Sequence, residues 1–233
     1  MKKTFYLCIC LLLLTVLVQA QSKTVEKTLQ VPANKRIDLQ LKFGDNIKIT
    51  SWDKKEASVK ITYEINSGKL NDALLLDFAS DQTSARVNVD FDKEKMKNGK
   101  AADCPDSKSY STYNDGSRSY TCSTINYEIF VPRDANLTVE TINGDIEIRG
   151  VTGPVAAKSI SGFVDMNWSA KKGADVSLKT ITGEVYTDMD IAFTNKKEVT
   201  PMVGYQLKGN VNGGGTNIKL ESISNNVYLR KQN

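Results

Sequence analysis

The stretch Thr141-Ile142-Asn143-Gly144-Asp145-Ile146 decides the fold, because the chain repeats its pattern four more times. Each copy has a polar residue, an aliphatic residue, a variable residue and then glycine or asparagine. The further copies read Ser-Ile-Ser-Gly-Phe-Val at 159–164, Thr-Ile-Thr-Gly-Glu-Val at 180–185, Gln-Leu-Lys-Gly-Asn-Val at 206–211 and Ser-Ile-Ser-Asn-Asn-Val at 222–227. A repeat of this period indicates a solenoid, in which each unit buries its apolar face only against its neighbours.

The side chains around the first copy alternate with period two. Leu137, Val139 and Thr141 share one parity before the turn, and Ile146 and Ile148 share the other parity after it. Period two is typical of a half-buried strand. The parity changes directly after Thr141, and the same change recurs in later copies. The sequence therefore predicts two strands per repeat, joined by a corner at the glycine or asparagine.

Stacking these corners predicts two rows of side chains. The first is a buried aliphatic ladder made of Ile142, Ile160, Ile181, Leu207 and Ile223. The second is an adjacent hydroxyl ladder made of Thr141, Ser159, Thr180 and Ser222. The predicted fold class is all-β, a β-helix-like solenoid of short two-strand rungs stacked about 4.8 Å apart and irregular in the N-terminal half.

An ordinary β-sandwich is the alternative interpretation of the same pattern. In that fold Asn143-Gly144 would form a hairpin turn between two strands that pair with each other. A solenoid instead pairs each strand with its equivalent one rung away. The chemical match of equivalent positions across the copies favours the solenoid.

The first twenty residues predict export. Lys2 and Lys3 form a positively charged start, an apolar stretch follows over 5–18, and Ala20 is a small residue suited to signal peptidase. This pattern indicates a cleaved signal peptide over 1–20 and a mature chain beginning at Gln21. No other segment is long and apolar enough to predict a membrane span. The protein is therefore expected in the periplasm, at the cell surface or in the medium.

The mature chain is predicted to be one β-solenoid domain over 21–233, with irregular rungs over 22–132 and regular repeats over 137–229. The alternating segments in the first part run over 37–41, 47–49, 57–65, 74–78, 85–91 and 125–131. Two domains meeting near Pro132 are the alternative. A polar excursion, rich in Ser and Tyr, interrupts the pattern between Cys104 and Cys122, with Asn114-Asp115-Gly116 at its expected tip.

Composition excludes several function classes. The chain has 31 Lys and Arg, two of them in the signal, against 27 Asp and Glu, so the mature protein carries too little positive charge to predict a nucleic-acid partner. Histidine is absent, which excludes catalytic triads and imidazole metal sites. We expect no cofactor and no metal. Cys104 and Cys122 are the only cysteines of the mature chain, so they are expected to form a disulfide in an oxidising compartment.

The run Ile125-Asn126-Tyr127-Glu128-Ile129-Phe130-Val131-Pro132, together with the segment 137–146 and the later Ser/Thr-x-Ser-Gly copies, resembles the bacterial "putative adhesin" β-solenoid family. This is a family of unknown function, common in exported proteins of the Bacteroides group. The resemblance implies a right-handed β-helix-like fold and an extracytoplasmic location, and it brings no catalytic or binding residues. The excursion between Cys104 and Cys122 departs from the short connections typical of the family.

The sequence leaves two classes of function open. The first is a non-enzymatic, adhesin-like interaction or structural protein of the cell envelope, which presents a β surface to a glycan, an envelope polymer or a cell-surface protein. The second is a small carbohydrate-active enzyme on a β-helix, which would require acidic residues of successive rungs to cluster at one spot. Asp165 and the pair Asp188 and Asp190 are acids that could serve a calcium or a polysaccharide-cleaving site. Solvated strand positions explain these acids equally well.

Outward parity singles out one candidate binding surface. Aromatic residues occupy outward positions after the corner in three copies: Phe163 lies directly after it, and Tyr186 and Tyr228 lie two residues further on. Outward parity places all three on one outer face. Aromatic faces stack on sugar rings and are enriched at interaction surfaces. Aromatic residues also favour strands for packing reasons alone. We therefore expect these three residues as a ligand-binding candidate, with a glycan or a protein as the partner.

Overall fold

The structure, a computed structural model, describes residues 22–104, 110–114, 117–195 and 204–232. The predicted signal peptide and the expected tip at 115–116 lie outside these residues. The strands are β1 (Lys23–Gln30), β2 (Arg36–Leu41), β3 (Asn46–Trp52), β4 (Glu56–Ile65), β5 (Leu74–Ser80), β6 (Ala85–Phe91), β7 (Tyr110–Asn114), β8 (Ser117–Thr121), β9 (Ser123–Pro132), β10 (Asn136–Thr141), β11 (Asp145–Arg149), β12 (Val155–Ser159), β13 (Val164–Trp168), β14 (Ala174–Thr180), β15 (Val185–Thr187), β16 (Ile191–Phe193), β17 (Tyr205–Val211), β18 (Thr216–Ser222) and β19 (Val227–Lys231). A four-residue helix, α1, spans Lys93–Met96.

Two open, mixed sheets contain most of these strands. The eight-stranded sheet has the order β1-β4-β9-β3-β11-β13-β19-β15, and the nine-stranded sheet has the order β16-β17-β14-β18-β12-β10-β2-β6-β5. Strands of the irregular first half and of the repeats occur in both sheets. Their inward side chains form one hydrophobic cluster. The all-β prediction is confirmed, and each alternating segment of the first half is a strand.

The repeat copies are not stacked in the order of the sequence. Strand β12 of the second copy pairs in parallel with β10 of the first and with β18, which leads into the fifth copy. Strand β14 of the third copy then pairs in parallel with β18. The fifth copy therefore lies between the second and the third, which the sequence did not predict. The 206–211 copy is different again, because β17 runs antiparallel to β14.

The predicted buried aliphatic ladder is wrong. Ile142 is 39% exposed and Ile160 is 36% exposed, while Ile181, Leu207 and Ile223 are half-buried. The inward positions of the strands before and after the corner are as predicted. The alternation is interrupted over the whole turn and not between two consecutive residues. The inward position at the corner belongs instead to the hydroxyl row, whose members Thr141, Ser159, Thr180 and Ser222 are all buried.

Hydrogen bonding explains why hydroxyls and not isoleucines point inward at the corner. The Ser222 hydroxyl accepts the N–H of Asn225 in its own turn at 3.0 Å and donates to the carbonyl of Gly162 in the neighbouring turn at 2.8 Å. Equivalent pairs of bonds join Ser159 to Gly162 and Gly144, and Thr180 to Gly183 and Asn225. These buried backbone groups would otherwise lack partners, at a cost of about 1–3 kcal/mol each. Three of the four hydroxyl groups thus link neighbouring turns, whereas the Thr141 hydroxyl donates to Asn143 O within its own turn.

Glycine in these turns is required by the close approach of the backbones. A Cβ atom on Gly162 would lie 1.9 Å from the carbonyl oxygen of Gly144, and one on Gly183 would lie 2.1 Å from that of Asn225. Both obstacles are backbone atoms, so no side-chain rotation relieves the overlap. Gly144 also has a φ of +133°, a conformation that other residues rarely adopt.

Among its described residues, the excursion between the cysteines contains a hairpin in which β7 and β8 form a two-stranded sheet of their own. Cys104 and Cys122 form the predicted disulfide at its base, with a Cα–Cα distance of 5.7 Å. The side chain of buried Asn66 holds the same base, because its amide donates to Tyr120 O at 2.9 Å and its oxygen accepts Cys122 N–H at 3.1 Å. No helix among the described residues is long and apolar enough to cross a membrane.

Candidate aromatic binding site

The outer face of the eight-stranded sheet brings the three predicted aromatic residues together. Parallel pairing places Tyr228 of β19 opposite both Asp165 of β13 and Tyr186 of β15. Phe163 immediately precedes β13, at the corner of the second copy. The three side chains come from the second, third and fifth copies, and they meet because the fifth copy lies between the other two.

The three rings contact each other and form what we call the aromatic cluster: Phe163, Tyr186 and Tyr228. The Tyr186 and Tyr228 rings are stacked, with centroids 5.2 Å apart and planes 12° apart. Phe163 meets Tyr228 edge-on, with centroids 6.0 Å apart and an interplanar angle of 88°. Tyr186 lies in the last strand of this sheet and is 46% exposed, whereas the other two are half-buried. The cluster therefore presents its Tyr186 side to solvent.

Polar neighbours fix the tyrosine hydroxyl groups. Tyr186 donates a hydrogen bond to the carboxylate of Glu184, and Asn226 Nδ2 donates to Tyr228 Oη at 3.0 Å. Asn226 is itself positioned by the backbone, because its Oδ1 accepts the Glu184 N–H at 2.9 Å. The ring planes are thus held by hydrogen bonds as well as by stacking.

A buried carboxylate beside the cluster holds two arginines. Asp165 Oδ2 is 3.0 Å from Arg149 Nη2 and 3.1 Å from Arg230 Nε, and the Asp165 side chain is only 10% exposed. The Arg230 guanidinium lies over the Tyr228 ring, 4.6 Å from its centroid, which is a cation–π contact. Asp165 therefore positions Arg230 against the aromatic cluster, and both of its carboxylate oxygens accept hydrogen bonds from arginines.

The first-copy carboxylate Asp145 has a structural contact of its own. Its Oδ1 accepts the backbone N–H of Phe163 at 3.0 Å, and Asp45 Oδ2 accepts that of Ile125 at 2.8 Å in the same way. Burial raises the pKa of the Asp145 carboxyl, the Phe163 N–H opposes this shift, and the negative charges of Glu147 and Asp45 add to it. The acids that follow the turns thus link neighbouring strands.

The acids considered for a metal site are not brought together. Asp188 Oδ1 accepts the backbone N–H of Lys231 at 2.6 Å, and Asp165 is engaged by the arginines. Within 22–104, 110–114, 117–195 and 204–232, no group of three or more His, Cys, Asp or Glu is placed to hold a metal ion.

Sequence reasoning missed Arg149 and Arg230, although both define the surroundings of the cluster. Each lies at an outward position of its strand, so parity alone could have placed it on the correct face. Their convergence on Asp165 depends on β19 being the neighbour of β13. No local feature of the sequence shows that neighbour relation.

Comparison with solved structures finds proteins that are named as putative adhesion proteins. A "putative cell adhesion protein" from Clostridium sporogenes ATCC 15579 superposes with a TM-score of 0.50 at 12% identity, covering 90% of this chain and 100% of that one. A "putative adhesin" from Bacteroides fragilis NCTC 9343 gives a TM-score of 0.29 at 12% identity over 90% of this chain and 97% of its own length. At 12% identity, the likeness to the Clostridium protein shows the fold alone. No family model and no curated protein sequence matches the chain.

Proposed function

We propose that the protein is an exported, adhesin-like interaction protein that binds a glycan or a cell-surface protein through the aromatic cluster, without catalysing a reaction. The observation that carries this proposal is the contact of three aromatic rings on an open sheet face. The proposal includes a signal peptide over 1–20 and a single β-solenoid domain over 21–233. Its elongated sheets would then serve as a platform for the binding surface.

The geometry of the cluster supports ring stacking by a ligand. Aromatic side chains offer a large apolar surface at a low cost in conformational entropy, and those of Tyr and Trp are enriched at interaction sites. Tyr186 and Tyr228 are held before any ligand arrives, by stacking and by bonds to Glu184 and Asn226. A sugar ring can stack on the exposed side of the cluster while its hydroxyl groups meet the surrounding carboxylates and amides.

The surroundings of the acids favour binding over hydrolysis. A glycosidase requires two carboxyl groups that face one bond of the substrate. Asp165 is instead held by two arginines, and Asp145 accepts a backbone N–H. An extracellular location is supported by the disulfide between Cys104 and Cys122, which persists only in an oxidising compartment.

A glycan-array screen of the mature protein, followed by affinity measurement on the ligand found, tests the proposal. We expect the variant Phe163→Ala/Tyr186→Ala/Tyr228→Ala to lose at least about tenfold in affinity, since each stacked ring contributes roughly 0.5–1.5 kcal/mol beyond its buried area. Phe130→Ala is the matched control, because Phe130 is 40% exposed on the same sheet face but belongs to β9, away from the cluster.

The triple variant must first show native circular dichroism and a cooperative melt. Tyr186→Ala alone, at the most exposed ring, provides a second test that disturbs packing less. If both folded variants bind the array ligand as tightly as the wild type does, the aromatic cluster is not the binding site. Release of reducing sugar ends from that ligand would contradict the non-enzymatic part of the proposal.

A further inference from the structure

A second candidate surface, lined by polar side chains, lies on the outer face of the nine-stranded sheet, where β17, β14 and β18 are neighbours. A shallow trough of about 420 Å³ opens there. We call it the polar trough, and the side chains used below are Asp175, Ser177, Lys208, Asn210, Asn217 and Lys219. It lies on a different sheet from the aromatic cluster and shares no residue with it.

Strand register explains the shape of the trough. Ser177 of β14 is paired with Lys208 of β17 on one side and with Lys219 of β18 on the other. The short serine therefore forms a floor between two long lysines, whose Cα atoms are about 10 Å apart because two strand spacings separate them. In the next outward row, Asp175 lies between Asn210 and Asn217 in the same manner.

The floor and both walls offer hydrogen-bond donors. Gln206 Nε2 donates to Ser177 Oγ at 2.7 Å, so the Ser177 hydroxyl proton remains available to a ligand. Lys208 is exposed and forms no ion pair within the described residues. Lys219 Nζ is 3.9 Å from Glu221, whose other carboxylate oxygen already accepts from Lys179 at 3.1 Å. Both lysines line the trough, and Glu221, the acid nearest to Lys219, is shared with Lys179.

Asp175 is the one carboxylate among the lining residues that the structure describes. Its Oδ2 accepts the backbone N–H of Gly215 at 3.2 Å. This bond directs part of its negative charge toward the 212–215 turn and away from Ser177. The lysine row is therefore the cationic part of the trough, and the asparagine row is its amide part.

We propose that the polar trough binds an oxyanion-bearing glycan, with a carboxylate or sulfate group between Lys208 and Lys219 and neighbouring sugar hydroxyls on Ser177 and the asparagine amides. Charge-assisted hydrogen bonds from ammonium groups favour an oxyanion. Hydroxyl and amide side chains match the many hydroxyl groups of a sugar. The apolar residues that line the trough, Val176 and Ile218, are buried core side chains, so they offer no exposed anchor of the kind that a protein partner needs at the centre of its interface.

Isothermal titration of the mature protein with oligogalacturonate and with a sulfated oligosaccharide tests this proposal. The methyl ester of oligogalacturonate is the matched neutral ligand, and oligoglutamate is the matched acidic peptide. We expect at least one acidic oligosaccharide to bind, with an affinity that falls as salt rises. Lys208→Gln/Lys219→Gln should weaken that binding by about tenfold or more, which corresponds to 1.4 kcal/mol.

Lys48→Gln/Lys60→Gln is the control variant, because it makes the same change in net charge on the other sheet. It should keep the wild-type affinity within about twofold. Ser177→Asp, which adds a carboxylate to the floor of the trough, should weaken binding as Lys208→Gln/Lys219→Gln does. The triple alanine variant of the aromatic cluster should leave it unchanged, so this test and that of the proposed function fail independently.

Several results would overturn the assignment. Binding by neither acidic oligosaccharide would do so, as would equal affinities for the acid and its methyl ester. Equal losses in the two lysine pairs would show nonspecific attraction. Oligoglutamate binding as tightly as the oligosaccharides would point to an acidic peptide and not to a glycan.

Discussion

Four of the repeat copies begin with serine or threonine and the 206–211 copy begins with glutamine, and their structures differ accordingly. The four copies fold into turns that stack in parallel, each fastened to the next turn or within its own by the hydroxyl. The 206–211 copy instead lies entirely within strand β17, and the Gln206 amide reaches outward to Ser177. Strand β17 then pairs antiparallel with β14. A small inward hydroxyl and a close-packed turn therefore define a copy that can stack.

Among the variants that test this difference between the copies, Gly162→Ala should lower the free energy of unfolding the most. The new Cβ would lie 1.9 Å from the Gly144 carbonyl oxygen and would force two stacked turns apart. We expect a loss of about 3 kcal/mol or more in the free energy of unfolding, measured by urea denaturation, since overpacking of backbone against backbone cannot relax. Gly213→Ala is the control, because nothing lies within 4 Å of its Cβ position and only its φ of +84° is unfavourable. A loss of about 1–2 kcal/mol is expected there.

Ser222→Ala should have the next largest effect. It removes the bonds to Asn225 N–H and Gly162 O, and both groups then remain buried without partners. The free energy of unfolding should fall by about 2 kcal/mol or more. Ser224→Ala, two residues later at an exposed position, should change it by less than about 0.5 kcal/mol. Equal stabilities of the two variants would show that the hydroxyl does not fasten the turns.

Asp145→Asn compares two stacked copies at one position, because Asn226 occupies the equivalent place in the fifth copy. The asparagine oxygen should keep the bond to Phe163 N–H, as Asn226 does with Glu184 N–H. Burial raises the folded-state pKa of Asp145, so the ionised carboxylate lowers stability at neutral pH, and protonation restores it as pH falls through that pKa. The variant should melt at a slightly higher temperature at pH 7, and the difference should shrink as pH falls toward the unfolded-state pKa of about 3.9. A difference that does not depend on pH would contradict this explanation.

Ile142→Ser should give the smallest effect, although the residue is aliphatic in a β protein. Its side chain is 39% exposed at the corner, so the change in the free energy of unfolding should stay near 0.5 kcal/mol. Ile146→Ser is the contrast, because Ile146 is fully buried and its loss should cost about 3 kcal/mol or more. Thermal melts of both variants decide whether the corner isoleucines belong to the core.

The sequence predicted which segments form strands better than it predicted which strands pair with each other. Alternation over 57–65 gave β4, which spans Glu56–Ile65, because a strand with one buried face records its own period. The corner was mispredicted because Ile142 was assigned to the core on hydrophobicity alone. In the structure the hydroxyl of Thr141 is buried at the corner, where backbone groups of the turn require a hydrogen-bond partner. The order of the strands in the sheets could not be predicted because β12, β14 and β18 have similar patterns, and the choice among them depends on contacts distant in sequence.

The candidate site shows the same limit. Outward parity found Phe163, Tyr186 and Tyr228, but sequential stacking would have put Phe163 and Tyr186 on adjacent rungs and Tyr228 at the far end. In the structure Tyr228 lies between them and touches both. Whether these residues bind a ligand stays a prediction. The polar trough was not predicted, because nothing in the sequence shows that the strands of Lys208 and Lys219 lie on either side of β14.

The insertion of β18 and β19 between earlier strands has a consequence for how the molecule reaches its native state. Strands β12 and β14 are neighbours of β18 and not of each other, and β13 and β15 are likewise bridged by β19. During synthesis, the segment 174–187 thus appears before the strands that will connect it to the rest of both sheets. Strand β14 can pair with β17 earlier, but the parallel pairing that joins β14 and β15 to the rest of the two sheets must wait for residues 216–231. This half of both sheets therefore completes its assembly only after nearly the whole chain has been made.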